Sequence, residues 1–289
     1  MSKFEILTES TCDLLPQLAE KLKLHVVRLH VLLDGKDYEN YLDGRELSFK
    51  DLYDSMRNKK LPTTSQVNIE SFKEEMESIF KQEKDILYVA ISGAMSGTLC
   101  AGKMAAEELK EKYPDRKVLI VDSLGASMGE GLLVYLAAKK KEKGATLEET
   151  FDYTRSLVPN LSHLFMVQDL MHICRGGRAN KSAAIMGSVL NIKPVMNVTE
   201  DGVLNVVQKV QGRKTGIKRM VNMVKENILS VDQPVFVGHG DCLAEAEAFA
   251  QKLKDEIGIK TVYINYIGAV CGCHTGPGIL GVFYLGKTR

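Results

Sequence analysis

The first half of the chain alternates short apolar runs with longer segments of helical spacing. The runs "KFEILTES", "HVVRLHVLL", "DILYVAIS" and "KVLIVDS" have the composition of buried strands. Between them, apolar residues recur every three or four positions, as in "DLLPQLAEKLKL", "SFKDLYDSMRNK" and "NIESFKEEMESIFKQ", which we predict to be helices. Ser48 is the predicted N-cap of the second of these helices. Alternating strands and helices indicate right-handed crossovers and a parallel sheet with helices on both faces. We therefore predict an N-terminal α/β domain over residues 1–155.

The second half combines helices with strands in which polar and apolar residues alternate. "KPVMNVTEDGVLNVVQKV" reads as two such strands around a Glu-Asp-Gly turn, which is typical of a hairpin. Two helix–strand repeats follow, and "GILGVFYLG" is predicted as the last strand. A hairpin among crossovers indicates a mixed sheet. The expected fold is therefore α/β with two domains, the second covering residues 156–289 with a mixed sheet and helices.

Composition and charge exclude several classes of protein. The 289 residues are 45% hydrophobic and 26% charged, as in ordinary globular proteins, and the net charge of +1 lacks the basic surplus of a nucleic-acid binder. No apolar run reaches the roughly 18 residues that span a bilayer, and the N-terminus has no signal-peptide pattern. We predict a cytoplasmic protein without an integral membrane segment, in which the six cysteines are reduced.

Metal and catalytic motifs give little support to an enzyme. The tightest group of metal-ligating residue types is "CGCH", Cys271 to His274, whose spacing differs from the usual C-x-x-C and which would need a distant fourth ligand. Buried free thiols are the favoured interpretation. The chain has no P-loop, no nucleophile elbow and no H-E-x-x-H motif. We predict no metal site, no cofactor and no catalytic residue.

Two segments carry hydroxyl groups where an anion could bind. "SGAMSGT", residues 92–98, joins a strand to a helix N-terminus, where free N–H groups and the helix dipole attract anions, and Ser96 is one of its hydroxyls. "LPTTSQ", residues 61–66, contains Thr64 and precedes a helix that Asn68 is predicted to cap. The alternative is that these hydroxyls only satisfy local backbone groups. Spacing alone does not bring Thr64 beside Ser96, since the crossover would place it nearer the start of the following strand.

Basic residues and one histidine mark the remaining polar loops. "HTGPG" places His274 in a predicted turn between two strands, where its imidazole could donate to an anion. "RGGR" contributes Arg175 and Arg178, and "QGRK" contributes Arg213. These arginines are either a solvated surface or a basic edge that faces a phosphate or a docking partner.

Eight motifs, in order along the chain, resemble the DegV family. They are "ILTESTCDL", "LPTTSQ", "SGAMSGT", "VDS…SMGEGLL", "RGGR", "NIKPV", "QGRK" and "HTGPG". The resemblance implies a two-domain fold that holds a long-chain fatty acid, such as palmitate, stearate or oleate, between the domains. It also implies a partner fatty acid kinase, to which the protein presents the carboxylate for phosphorylation on the way to phospholipid synthesis. In that role the chain is a carrier and is not itself catalytic.

The resemblance also implies roles for individual residues. Thr64 and Ser96 stand at the positions that bind the carboxylate, and His274 at the position near the ligand head group. Arg175 matches the arginine tied to work with the kinase, and Arg178 and Arg213 belong to the same basic motifs of a docking or head-group region. The chain departs from the usual pattern at other positions, namely Glu9, Cys12, Gly93 and Cys273.

Two other functions remain open at this stage. One is a small-molecule phosphotransferase, which the anion-ready loop would suit. The other is a binding module for a different lipid or carboxylic acid, which the same hydroxyl groups would suit.

Overall fold

The computed structural model describes residues 3–178 and 192–289, which form three sheets with helices packed between and around them. The strands are β1 (Phe4–Glu9), β2 (His25–Val27), β3 (His30–Leu33), β4 (Lys36–Glu39), β5 (Thr63–Ser65), β6 (Asp85–Ala90), β7 (Val118–Asp122), β8 (Leu161–Met166), β9 (Ile192–Val198), β10 (Leu204–Gln211), β11 (Pro234–His239), β12 (Thr261–Tyr266) and β13 (Leu280–Leu285).

The helices of the described residues mostly follow strands, as the sequence pattern predicts. They are α1 (Pro16–Lys21), α2 (Phe49–Arg57), α3 (Ile69–Phe80), α4 (Thr98–Lys112), α5 (Met128–Glu142), α6 (Leu147–Leu157), α7 (Leu170–Arg175), α8 (Arg213–Asn227), α9 (Leu243–Ile257) and α10 (Ala269–Thr275). Two predicted caps are confirmed. The Ser48 side chain accepts a hydrogen bond from the backbone N–H of Asp51, and that of Asn68 accepts one from Ser71.

The sheets have different strand directions. Strands β2, β1, β6 and β7 form a parallel sheet in that order. A mixed sheet has the order β10, β9, β8, β13, β11 and β12, in which only β11 and β12 pair in parallel. The third sheet is small and antiparallel, with the order β4, β3 and β5. The predicted α/β class, with a parallel sheet followed by a mixed sheet, is confirmed.

Two predicted elements of the first 35 residues differ from the structure. "HVVRLHVLL" is two strands rather than one, because the backbone N–H of Leu29 donates to the Ser10 hydroxyl instead of to a strand. After that break, β3 leaves the parallel sheet and pairs with β4 and β5. The helix predicted over "DLLPQLAEKLKL" covers only α1. It starts at Pro16, whose missing N–H suits a first turn, and it stops before Lys23, which has a positive φ of 53°.

The two halves of the chain share their apolar cores. Helix α5 packs against both the parallel sheet and the mixed sheet, with Leu132 and Leu133 buried in one cluster with Phe236 and Phe283. A second cluster around α2, α3 and α4 includes residues of α10, which follows β12 in sequence. The predicted boundary between residues 155 and 156 falls inside α6 and stays a prediction.

Candidate functional site

A cavity of about 250 Å³ lies where the ends of the parallel strands meet the mixed sheet. One end is polar and the rest is mainly apolar. The polar residues at that end include Thr64, Ser65, Gln66, Ser96, Arg178, His274 and Thr275. The apolar wall comes from both halves of the chain, and it includes Leu29, Ile91, Met95, Ala126, Phe165, Val198, Leu204, Ile267, Val270, Ile279 and Phe283.

Strand β5 directs Thr64 into the cavity. Thr64 pairs with Val31 of the antiparallel sheet, and residues that face each other across such a pair point to the same side. Val31 is buried, so Thr64 also points inward, while its neighbour Thr63 is exposed on the opposite face. The sequence spacing placed Thr64 near the start of a parallel strand, away from Ser96. The structure differs, because Thr64 lies in β5 of the small sheet and both residues line the cavity.

Ser96 lies in the loop that precedes helix α4. The Ser96 hydroxyl accepts a hydrogen bond from the backbone N–H of Thr98 at 3.2 Å and shares another with the Thr98 hydroxyl at 2.9 Å. These bonds hold Ser96 at the N-terminus of a 15-residue helix, where the helix dipole favours a negative charge. The structure therefore brings Thr64 and Ser96 to one polar end, as the family resemblance implies.

Gly97 allows the two hydroxyl segments to approach each other. A Cβ atom at Gly97 would lie 2.1 Å from Oε1 of Gln66, so any side chain there would displace the glutamine. Gln66 follows β5 and Gly97 follows Ser96, which makes this contact the junction of "TTSQ" and "SGAMSGT". The absence of a side chain at Gly97 lets Gln66 take this position.

His274 completes the polar end, but it lies in a helix and not in the predicted turn. It belongs to the last turn of α10, because the apolar face formed by Ala269, Val270 and Cys273 is buried in the core that includes α2 and β3. Its Nε2 atom is 2.9 Å from the Thr64 hydroxyl oxygen, with which it shares a hydrogen bond. Burial, and then the charge of Arg178, lower the pKa of His274 to about 4, so the ring is neutral at pH 7.

The three arginines of the predicted docking region lie in different places. Arg178 lines the cavity, and its Nε donates to the carbonyl oxygen of Met95 at 3.2 Å. Arg175 is exposed at the end of α7 and does not line the cavity. Arg213 also lies off the cavity, where it forms a salt bridge with Glu245 of α9. Docking of a partner by these residues stays a prediction.

Three buried carboxyl groups, those of Glu9, Asp13 and Glu130, lie near the cavity. Glu9 accepts a hydrogen bond from the backbone N–H of Ile91 at 2.9 Å, and Asp13 accepts one from the Ser127 hydroxyl at 2.5 Å. Burial raises the pKa of Glu9 to about 8 and that of Asp13 to about 7. Burial, and then the charge of Glu9, raise the pKa of Glu130 in α5. Since Ile91 and Ser127 line the cavity, Glu9 and Asp13 position its wall.

The apolar wall is the part of the site that the sequence did not reveal. Phe165, Val198 and Phe283 lie on strands whose alternation is the same for a cavity wall and for a filled core. Arg178 was predicted through the "RGGR" motif, whereas Gln66 was not predicted, although its place in "LPTTSQ" could have indicated it. Ser127 had a weaker signal, namely its place in the "VDS…SMGEGLL" motif.

Metal binding and membrane insertion have no support in the residues that the structure describes. Over 3–178 and 192–289, no three histidine, cysteine or acidic side chains are grouped so that they could hold a metal ion. Within the same two ranges, no helix has the length and apolar character to traverse a bilayer. None of the six cysteines, all of which lie in the described ranges, forms a disulfide, and Cys12, Cys174 and Cys273 are buried.

Comparison with known proteins identifies the family of this chain. The family model for DegV, described as uncharacterised proteins of the DegV family, matches residues 3–287. A DegV domain-containing protein of Clostridium perfringens is 39% identical over 290 aligned positions, which cover 100% of this chain and 99% of the relative.

Solved structures agree over nearly the whole chain. A DegV family protein from Thermus thermophilus, described for its fatty acid binding, has a TM-score of 0.86 at 28% identity and covers 98% of this chain and 99% of its own. The fatty acid kinase B3 protein of Streptococcus pneumoniae, loaded with linoleic acid, has a TM-score of 0.86 at 20% identity, covers 98% of this chain and 99% of its own, and shows the shared fold. The chain therefore belongs to the DegV family.

Proposed function

We propose that this protein binds a long-chain fatty acid in the cavity and presents its carboxylate to a partner fatty acid kinase. The observation that carries the proposal is the polarity of the cavity. One end carries polar groups, namely the hydroxyls of Thr64 and Ser96, the ring of His274 and the N-terminus of α4. The rest of the wall is mainly apolar. A fatty acid matches this division, because it has a polar carboxylate at one end and an apolar alkyl tail.

The alkyl tail and the carboxylate of the ligand contribute differently to binding. Each buried methylene contributes about 0.8 kcal/mol, so a palmitate tail contributes about 11 kcal/mol before costs. A hydrogen bond to a charged group contributes about 1.5–3 kcal/mol, much of which offsets the lost hydration of the carboxylate. The tail therefore supplies most of the affinity, while Thr64 and Ser96 fix the orientation and depth of the head group.

The carboxylate site suits a carrier because the hydroxyls of Thr64 and Ser96 and the ring of His274, which would hold the anion, are neutral. His274 is neutral at pH 7, and the Ser96 hydroxyl is already oriented by Thr98. Arg178 reaches this end, where its guanidinium donates to the carbonyls of Met95 and Gly176. A carboxylate bound mainly by hydroxyls keeps electron density on its oxygens, which a phosphoryl acceptor needs. Arg178 is the residue best placed to meet an incoming phosphate.

The relatives support the ligand class and the partner class. The Thermus thermophilus protein is described for fatty acid binding, and the Streptococcus pneumoniae protein by its connection with a fatty acid kinase. In this proposal Arg175, Arg178 and Arg213 belong to the docking region, the chain is a binding protein and not an enzyme, and the location is the cytoplasm. Palmitate, stearate and oleate are the ligands to test first.

Mass spectrometry of the purified protein tests the ligand assignment. We expect organic extraction to release a long-chain fatty acid, or an emptied protein to take up added palmitate or oleate. Failure to carry and to take up any fatty acid would contradict the proposal. Release of another lipid or a short carboxylic acid would favour a different binding module. The kinase role needs a second assay, in which a fatty acid kinase phosphorylates the bound acid. Turnover of ATP by this chain alone would instead favour a phosphotransferase.

A further inference from the structure

The polar end and the tail end of the cavity are separated along strands β8 and β13. Ile279, which precedes β13, and Phe283 both line the cavity, and four residues of strand span about 13 Å. His274 lies just before Ile279 in the chain, at the polar end. Phe283 pairs with His163 of β8, and the two rings meet edge to face with centroids 5.5 Å apart. The His163–Phe283 pair therefore marks the tail end.

The hairpin of β9 and β10 closes this tail end. Val198 and Leu204 face each other across the hairpin, and both line the cavity. The turn that joins them packs on the first domain, where the Ser92 hydroxyl donates to the carbonyl oxygen of Gly202 at 2.8 Å. Gly202 has a positive φ of 74°, and a Cβ atom there would lie 2.3 Å from the Ser92 hydroxyl oxygen, so the contact is tight.

Arg289 binds three separate segments around this turn. Its Nε donates to the carbonyl of Thr199 at 2.9 Å and its Nη1 to that of Val158 at 2.7 Å, while its Nη2 donates to Leu124. Leu124 lies two residues before Ala126 in the cavity wall, and Thr199 directly follows Val198. A guanidinium presents its N–H groups in a rigid fork, so one side chain can hold three carbonyls at once. The contacts join the first domain to the hairpin turn.

We propose that Arg289 clasps the β9–β10 turn over the tail end of the cavity and thereby limits the length of the acyl chain that the protein accepts. A terminal methyl group that passes His163 and Phe283 meets the hairpin wall at Val198. Further methylenes fit only when that wall moves, and movement breaks the bonds of Arg289 to Thr199 and Leu124. This inference rests on the proposed function, since it concerns the tail of the same ligand.

A length series of saturated fatty acids tests the clasp. The relative affinities of myristate, palmitate, stearate, eicosanoate and docosanoate are measured by competition in native mass spectrometry, for the wild type and for Arg289→Met. Methionine keeps an apolar stem and removes every donor. Each methylene that gains apolar room raises affinity about fourfold. We expect the docosanoate-to-palmitate affinity ratio to rise about tenfold or more, with palmitate affinity nearly unchanged.

Two further variants make the test specific. Lys287→Met removes a neighbouring cation whose Nζ donates to the Glu226 carbonyl, away from the hairpin turn, and should leave the ratio unchanged. Ser92→Ala loosens the same turn from the first domain and should raise the ratio, so it decides the matter if Arg289→Met does not fold.

The remaining outcomes separate the clasp from the proposed function. An unchanged length profile, or an equal loss of affinity at every length, would overturn the clasp, because a general structural role lowers all affinities together. A wild type that binds no acid of any length would overturn the proposed function itself.

Discussion

Thr64 and His274 are 210 residues apart in the chain, and their side chains share a hydrogen bond of 2.9 Å. The threonine comes from the small antiparallel sheet, and the histidine from the last turn of α10. The bond therefore joins an early strand to a late helix at the polar end of the cavity. It also orients the Thr64 hydroxyl before any ligand arrives, which reduces the entropy that binding has to offset.

Replacement of Thr64 by valine should weaken fatty acid binding. Valine has nearly the same shape and suits a strand, but it removes the hydroxyl that would contact the carboxylate. We expect about a tenfold or larger loss of palmitate affinity, since hydrogen bonds to charged groups contribute about 1.5–3 kcal/mol. A fluorescent fatty acid displacement titration measures it. Thr63→Val, on the exposed face of the same strand, is the matched control, and equal affinities for the two variants would contradict the assignment.

The pKa of His274 should respond to the ligand. In the empty site, burial and Arg178 lower it to about 4, whereas a bound carboxylate favours the charged ring and should raise it. A two-dimensional NMR titration of the imidazole, with and without palmitate, measures both values. A pKa that is the same in the two states would show that the carboxylate does not lie beside His274.

Acid should destabilise the empty protein partly through the same histidine. The folded-state pKa of about 4 is below the usual 6.5, so the unfolded chain takes up this proton first as the pH falls. The contribution to the free energy of unfolding is therefore complete above about pH 6.5 and decreases toward pH 4. Urea unfolding of His274→Gln should show a weaker loss over this window. A wild-type slope in the variant would mean that other groups account for it.

Glu9→Gln should stabilise the protein at alkaline pH. The folded-state pKa of Glu9 is about 8, above its usual value of 4.5, so stability is lost as the pH rises from 4.5 through 8 and the buried carboxyl ionises. Glutamine cannot ionise, and we expect a gain of about 1 kcal/mol or more at pH 9 relative to pH 5. Urea unfolding at both pH values measures it, with Glu20→Gln on the exposed side of α1 as the control. No pH-dependent difference would contradict the buried ionisation.

Ala126→Leu should shorten the preferred acyl chain. Ala126 lines the cavity, and leucine adds three carbon atoms to the space that the tail would occupy. We expect the preferred length to fall by about three methylenes, with each displaced methylene costing about 0.8 kcal/mol. Ala248→Leu adds the same atoms to the exposed surface of α9 and should change nothing. An unaltered preference in Ala126→Leu would place the tail elsewhere.

The sequence predicted the helices and strands of this fold better than the long-range contacts between them. Alternation and helical spacing identified the strands of the parallel sheet, the hairpin of β9 and β10, and the cap at Asn68, because each of these depends on residues that are close in the chain. The break of "HVVRLHVLL" was missed, since it depends on the hydrogen bond from Leu29 to Ser10, 19 residues away. The pattern of residues within a segment does not indicate a hydrogen bond to a residue so far away in the chain.

The residues of the site also fall into a group that the sequence predicted and a group that it did not. Thr64, Ser96 and His274 were predicted through motifs, and the structure brings all three to one end of the cavity. His274 was expected in a turn, because glycine and proline follow it, but burial of the α10 face extends the helix through it. The tail wall stayed hidden, since Phe165 and Phe283 have the pattern of any core strand residue.

Helix α10 has a consequence for how the protein is made. Ala269, Val270 and Cys273 fill the core of the first domain, yet they are synthesised after nearly all of the rest of the chain. Domains on a ribosome generally fold in the order in which they emerge, but here the core around α2, α3 and α4 lacks part of its interior until α10 has emerged. In a nascent chain the polar end of the cavity therefore stays incomplete until His274 has been synthesised.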